Sequence, residues 1–117
     1  VTIAALNGTV AGGAFGMILA CDIRICVPSS KFFYPVMKMG YLPQPSDPKR
    51  LIDLIGPGRA KLMLVAGEKL DSDKAYKFGL IDEVVTVENL ITRAHELLAA
   101  SLSARSDHIT GIKHLMT

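Results

Sequence analysis

The chain has 117 residues, half of them hydrophobic, with 13 Lys and Arg against 11 Asp and Glu and a net charge of +2. That length holds at most one domain, and so small and scattered a charge excludes nucleic acid as an electrostatically driven partner. A mean hydropathy of +0.34 is high for so short a chain, so part of the apolar surface is expected to be covered by a partner or by further chain.

Val1–Leu6 reads as a buried strand ended by the turn pair Asn7-Gly8. Gly12-Gly13 then opens an apolar helix over Gly13–Ala20. The run Val1–Cys21 is uncharged and carries Gly8, Gly12 and Gly16 at helix-packing spacing. The two glycine turns cut it into pieces too short to span a membrane. No basic residue precedes the run, which argues against a signal peptide. The first residue, Val1, points to a processed or excised piece.

Asp22–Val27 alternates as a strand, Pro28-Ser29-Ser30 turns, and Lys31–Tyr34 is a short aromatic strand. Pro35–Pro48, with its four prolines and Gly40, reads as a long loop, and long ordered loops tend to be functional. This loop is expected to line a pocket. Helices are expected over Lys49–Ile55 and Arg59–Ala66, then an extended link at Glu68–Leu70. Asp71-Ser72 caps a third helix that ends at Gly79. Leu80–Val85 reads as a strand. Thr86 caps a long helix striped by Leu90, Ile91, Ala94, Leu97, Leu98 and Leu102, and Ser106-Asp107 caps a last helix with Ile109, Ile112, Leu115 and Met116 on one side.

The chemistry-bearing residues are few. A strand, a glycine turn and a helix N-terminus at Gly12-Gly13 present free N–H groups, which suit an anion or a polarised carbonyl oxygen. The same pattern also serves tight helix–strand packing. No phosphate-binding loop or dinucleotide fingerprint is present. His95, His108 and His114 lack metal-ligand spacing and read as surface residues, so no metal site is expected. Cys21 and Cys26 read as small buried hydrophobes, which fits a reducing compartment: the cytoplasm, or in a eukaryote the mitochondrial or peroxisomal matrix. Asp22 reads as a structural cap. Asp47 suits a helix N-terminus, Arg50 is expected to pair with a carboxylate, and Lys49 and Arg50 are also candidates for a ligand phosphate. These residues alone establish an α/β domain with a candidate anion or carbonyl site.

The ordered set of motifs goes further. Ile3-Ala4-Ala5-Leu6-Asn7-Gly8, Gly12-Gly13 and Cys21-Asp22 are followed by Phe33, Pro35, Gly40, Pro43 and Arg50-Leu51. Gly56, Ala60, Gly67, Ala75, Gly79-Leu80-Ile81 and Val84 complete the set. Together they resemble the crotonase family, the enoyl-CoA hydratase/isomerase fold. The resemblance implies a spiral of β-β-α turns over about 1–85 and C-terminal helices over about 86–117, as part of a larger domain whose first half precedes Val1. It implies a homotrimer or dimer of trimers, and an acyl-CoA thioester as substrate or ligand with no other cofactor. The Gly13 N–H would be one of two donors polarising the thioester carbonyl. Gly12, Tyr34, Pro35, Val36 and Gln44 would lie at the substrate.

The departures from the family pattern fall on its acids. The two hydratase glutamates correspond to Gly16 and Val36, and an isomerase carboxylate corresponds to Gln44. Glycine and valine transfer no protons. On this reading, restoring glutamate at both positions should restore hydration. Three functions compete. One is an enzyme whose acids come from Tyr34, Lys38, Asp47 or upstream chain. Another is a non-catalytic acyl-CoA binder, carrier or regulatory subunit. The last is an assembly element.

Overall fold

The computed structural model describes residues 1–117. Strand β1 (Ile3–Leu6) and strand β2 (Val10–Ala11) are joined through Gly8, whose φ of +149° suits glycine. Helix α1 (Ala14–Leu19) follows. A second β-β-α unit repeats this order with β3 (Ile23–Cys26), β4 (Lys31–Phe33), α2 (Val36–Met39), α3 (Asp47–Ile55) and α4 (Pro57–Leu64). Then come β5 (Leu70–Asp71), α5 (Ser72–Phe78) and β6 (Glu83–Val84).

The strands form two sheets, ordered β1-β3-β6 and β2-β4-β5. Each β-β-α unit contributes one strand to each sheet, which is how the chain winds as a spiral. β1 pairs with β3 in parallel, Ile3 opposite Ile23 through Leu6 opposite Cys26. β2 pairs with β4 in parallel, Val10 opposite Phe32 and Ala11 opposite Phe33. β6 joins β3 in parallel, and β5 closes the second sheet antiparallel to β4.

The core between the sheets and helices gathers Phe15, Ile18, Phe32, Tyr34, Val36, Leu51, Met63, Leu70 and Leu80. A smaller cluster of Ile25, Val27 and Leu90 forms where α6 (Leu90–Leu102) lies against the first sheet. The last helix, α7 (Ser106–Leu115), has no buried residue.

Arg24 is the fixed point between these parts, and its role is absent from the sequence reading. It is buried at 4% exposure. Its guanidinium donates to the carbonyls of Leu80 (2.9 Å), Cys21 (2.7 Å) and Ile18 (3.3 Å), and lies 3.7 Å from Asp82. These carbonyls include Ile18 at the C-terminal end of α1, where a cation is favoured by the helix dipole.

Several expectations need correction. β2 is too short to show as a periodic run. The segment Pro35–Pro48 holds the short helix α2 and the first two residues of α3, so it is partly helical rather than a plain loop. Gly40 ends α2 with a φ of +76°. The expected strand at Leu80–Val85 narrows to Glu83–Val84, and the link at Glu68–Leu70 ends in β5. Thr86 stands at the N-cap of a 3-10 turn, Val87–Asn89, that intervenes before α6, and its side chain makes no capping hydrogen bond. Arg105, not Ser106, precedes the last helix. On α6 the side chains of Ile91 and Leu102 face outward, at 62% and 73% exposure. Asp71 does cap α5 as expected, accepting from the Lys74 N–H at 2.8 Å, and Gly79 ends that helix at a φ of +88°.

Candidate functional site

The turn at Gly12-Gly13 is held by backbone geometry. Gly12 adopts a φ of +55° and donates its N–H to the Phe33 carbonyl at 3.3 Å, extending the β2–β4 pairing by one residue. Gly13 follows with a φ of −59° and caps α1. Its N–H finds no acceptor within the chain. Gly13 is exposed. No Cβ added at Gly12 or Gly13 would meet another atom within 4 Å, so crowding does not require these glycines. Conformation demands glycine at position 12.

The β2–β4 pairing carries Tyr34 to the same place. Its ring packs on Phe15 of α1, with centroids 5.4 Å apart. Its hydroxyl donates to Asp47 Oδ2 at 2.7 Å and accepts from the Gln44 N–H at 3.2 Å. Burial, and then the bond to Asp47, raise the Tyr34 hydroxyl above its ordinary pKa. Asp47 is the first residue of α3 and is 2% exposed. Its other oxygen, Oδ1, accepts no hydrogen bond. That oxygen lies 3.4 Å from the point where a Cβ on Gly16 would stand. A buried carboxylate therefore occupies the space beside Gly16, where the hydratase pattern has a glutamate.

Gly12, Gly13, Gly16, Tyr34, Gln44 and Asp47 are thus linked through short contacts. Pro35 stands between Tyr34 and α2, and the Val36 N–H closes a tight turn onto the Tyr34 carbonyl at 2.8 Å. The Val36 side chain is 2% exposed and sits inside the main core. Lys38 is exposed. Lys49 pairs with Asp53 across one helical turn at 3.7 Å, whereas Arg50 makes no ion pair, contrary to expectation. An amphipathic sequence pattern hides the Asp47 contact, because an aspartate at a helix start looks like a solvent-facing cap.

The remaining candidates lie elsewhere. His95, His108 and His114 are exposed. Cys26 is buried, and burial pushes its thiol above the ordinary value. Cys21 is half-buried, with its sulfur 3.4 Å from the Met17 carbonyl. Asp22 accepts from the Thr2 N–H at 2.9 Å and binds Lys113 of α7 at 2.7 Å. No group of three or more His, Cys, Asp or Glu is placed to hold a metal ion. No helix is long and apolar enough to cross a membrane. A separate groove of about 670 Å³ between α7 and the first sheet is lined by residues including Ile23, Ile109, Ile112 and Met116, and contains none of the Gly13–Asp47 group.

Comparison with known proteins follows the same lines. A family model described as enoyl-CoA hydratase/isomerase matches residues 1–117. The crotonyl-CoA hydratase of Syntrophomonas wolfei is 35% identical over 101 residues, which cover 86% of this chain and 39% of that protein. The 4-chlorobenzoyl coenzyme A dehalogenase-1 of an Arthrobacter species is 32% identical over 111 residues, covering 95% of this chain and 40% of that protein. Among solved structures, a putative enoyl-CoA hydratase from Thermobifida fusca in complex with CoA superposes with a TM-score of 0.91 at 26% identity, covering 97% of this chain and 44% of that one. The chain therefore spans roughly two fifths of the length of the curated relatives it matches, 39% and 40% for the two named.

Proposed function

The chain belongs to the enoyl-CoA hydratase/isomerase family, and from that membership we propose that it binds an acyl-CoA thioester and acts on it, with the Gly13 N–H as one donor to the thioester oxygen. The observation that carries this reading is the exposed Gly13 N–H at the start of α1, which has no acceptor within the chain. A donor held in place by the fold gains strength when the oxygen in front of it becomes negatively charged. Gly12 fixes the turn, and Tyr34, Pro35 and Gln44 form the wall beside it. The second oxyanion donor and most of the CoA grip come from other parts of the full-length protein.

The reaction is not the two-glutamate hydration of an enoyl-CoA. Gly16 carries no side chain, and Val36 is a core residue. Chemistry that passes through a thioester enolate needs only one proton-transfer group besides the oxyanion site, and fits this chain better. A non-catalytic acyl-CoA binder is the second reading, favoured by the apolar residue at position 36. The exposed Met17, Met37, Met39 and Leu42 support burial against further copies or further chain, and a trimer or dimer of trimers is the proposed assembly.

The test uses full-length protein, with calorimetric titration of acyl-CoA and a parallel screen for turnover. Gly13→Pro removes the donor. In an enzyme it should lower turnover by about 10²–10³-fold, the usual cost of one lost oxyanion donor. Circular dichroism checks that the turn survives. Turnover unchanged in a folded Gly13→Pro variant rejects the enzymatic role of this N–H. Absence of acyl-CoA binding by the unmodified protein rejects the whole reading.

A further inference from the structure

The acid missing from position 16 has a neighbour with no assigned task. Asp47 is 2% exposed, carries one oxygen that nothing in the chain bonds, and faces no cation within ion-pair distance. Burying a carboxylate in that state is costly. Its position is also specific. Tyr34 fixes Oδ2 from one side at 2.7 Å, so the free oxygen is aimed at Gly16, 3.4 Å from the absent Cβ. Gly16 lies three residues after Gly13, one turn along the helix that presents the free N–H. Gly16, the residue between the buried free oxygen and that first turn, carries no side chain.

We infer that Asp47 is the proton acceptor of this site, standing in for the side chain that position 16 lacks. The inference rests on the acyl-CoA reading above. With the thioester oxygen on the Gly13 N–H, Asp47 Oδ1 takes a proton from the carbon next to the thioester carbonyl. The C–H electron pair becomes the carbon–carbon double bond of the enolate, and the carbonyl pair moves onto the oxygen. The carboxyl proton exchanges with solvent, and a proton then passes from Asp47 back to carbon, either to the same atom or, in an unsaturated chain, two carbons further along. Nothing is oxidised or reduced and no co-reactant is consumed. Tyr34 is a positioning residue: it orients the carboxylate and leaves Oδ1 as the basic oxygen.

The experiment follows deuterium uptake into butanoyl-CoA in heavy water by mass spectrometry, with the full-length protein, while calorimetry reports butanoyl-CoA binding. Two variants are compared. Asp47→Asn keeps the shape and an acceptor for Tyr34 but loses the base. Gly16→Ala favours the helix yet sets a methyl group against Oδ1. Each should slow exchange by about 100-fold or more, the range of a lost general base, with the dissociation constant changed less than threefold. Exchange at the unmodified rate in either folded variant overturns the role of Asp47 and leaves the acyl-CoA reading standing. Binding without any exchange in the unmodified protein also overturns it. Failure of the unmodified protein to bind butanoyl-CoA overturns both. If Asp47→Asn fails to fold, Gly16→Ala decides alone.

Discussion

Asp47 Oδ1 and the Cα of Gly16 share one small space: a Cβ built on Gly16 would stand 3.4 Å from that oxygen and 3.8 Å from Oδ2. A methyl group at 16 would rest in van der Waals contact with the Asp47 carboxylate, and a longer side chain would run into it. This alters the expectation that glutamates restored at 16 and 36 would bring back hydration. A glutamate at 16 would meet a second carboxylate in a buried place, where two like charges disfavour each other. A glutamate at 36 would replace a core valine.

Gly16→Glu should accordingly destabilise the protein by about 1–3 kcal/mol, the usual range for overpacking, and gain no hydratase activity. Adding Asp47→Gly should recover much of the loss by vacating the space, so the two changes should be strongly non-additive. Urea denaturation of the two single variants and the double variant measures this. Additive losses would show that the two positions do not compete.

The sequence made the fold legible because its family motifs sit at element junctions. Gly8, Gly40, Gly56 and Gly79 all fall at turns or helix ends with positive φ, so each marks a boundary in the string of letters. The Gly12-Gly13 turn was legible for the same reason. The two-residue strands β2, β5 and β6 were harder, because a periodicity of two needs more than two residues to show. Asp47 was legible as a helix-start residue and as one candidate acid, but its burial was not. That burial sets it against Gly16, 31 positions earlier, and against the Tyr34 hydroxyl, which arrives through the β2–β4 pairing. Such a contact between distant positions leaves no local pattern. Arg24 was missed for a related reason. It stands as a charged residue in an alternating strand, and its partners are distant carbonyls at the end of α1 and after α5.

Arg24→Ala should be among the most damaging single changes in the chain. It leaves the carbonyls of Leu80, Cys21 and Ile18 without this donor and removes a cation 3.7 Å from Asp82. Hydrogen bonds made by a charged group are worth about 1.5–3 kcal/mol each, whereas the Asp82 carboxylate is 45% exposed and its ion pair adds little. Arg24→Lys keeps the charge but offers one ammonium in place of a fork, so it should recover only part of the stability. Denaturant melts of the full-length variants are the measurement. A loss below 1 kcal/mol for Arg24→Ala would show that water replaces the guanidinium at these carbonyls.

Acid should release α7 before it unfolds the rest. That helix buries no residue of its own, and its charged link to the body is Lys113 on Asp22 at 2.7 Å. The bond from Lys113, and then the Thr2 N–H, hold the Asp22 carboxyl below its ordinary value of 3.8. Arg93 does the same for Glu83, whose ordinary value is 4.5, through paired bonds of 2.7 and 2.8 Å. A carboxyl whose folded pKa is depressed gives its stability above the unfolded value and loses it as pH falls through the folded one. The stabilisation from Asp22 should thus be complete above pH 3.8 and decline below it. The contribution of Glu83, which ties α6 to β6, should begin to decline below pH 4.5. Hydrogen exchange of the α7 amides should quicken in the lower window while the amides of β1 and β3 stay protected. In Lys113→Met the Asp22 carboxyl should titrate higher, and α7 should exchange quickly already at neutral pH. Protection of α7 that survives both acid and the loss of Lys113 would mean that Ile109 and the apolar groove beside it, not the ion pair, hold this helix in place.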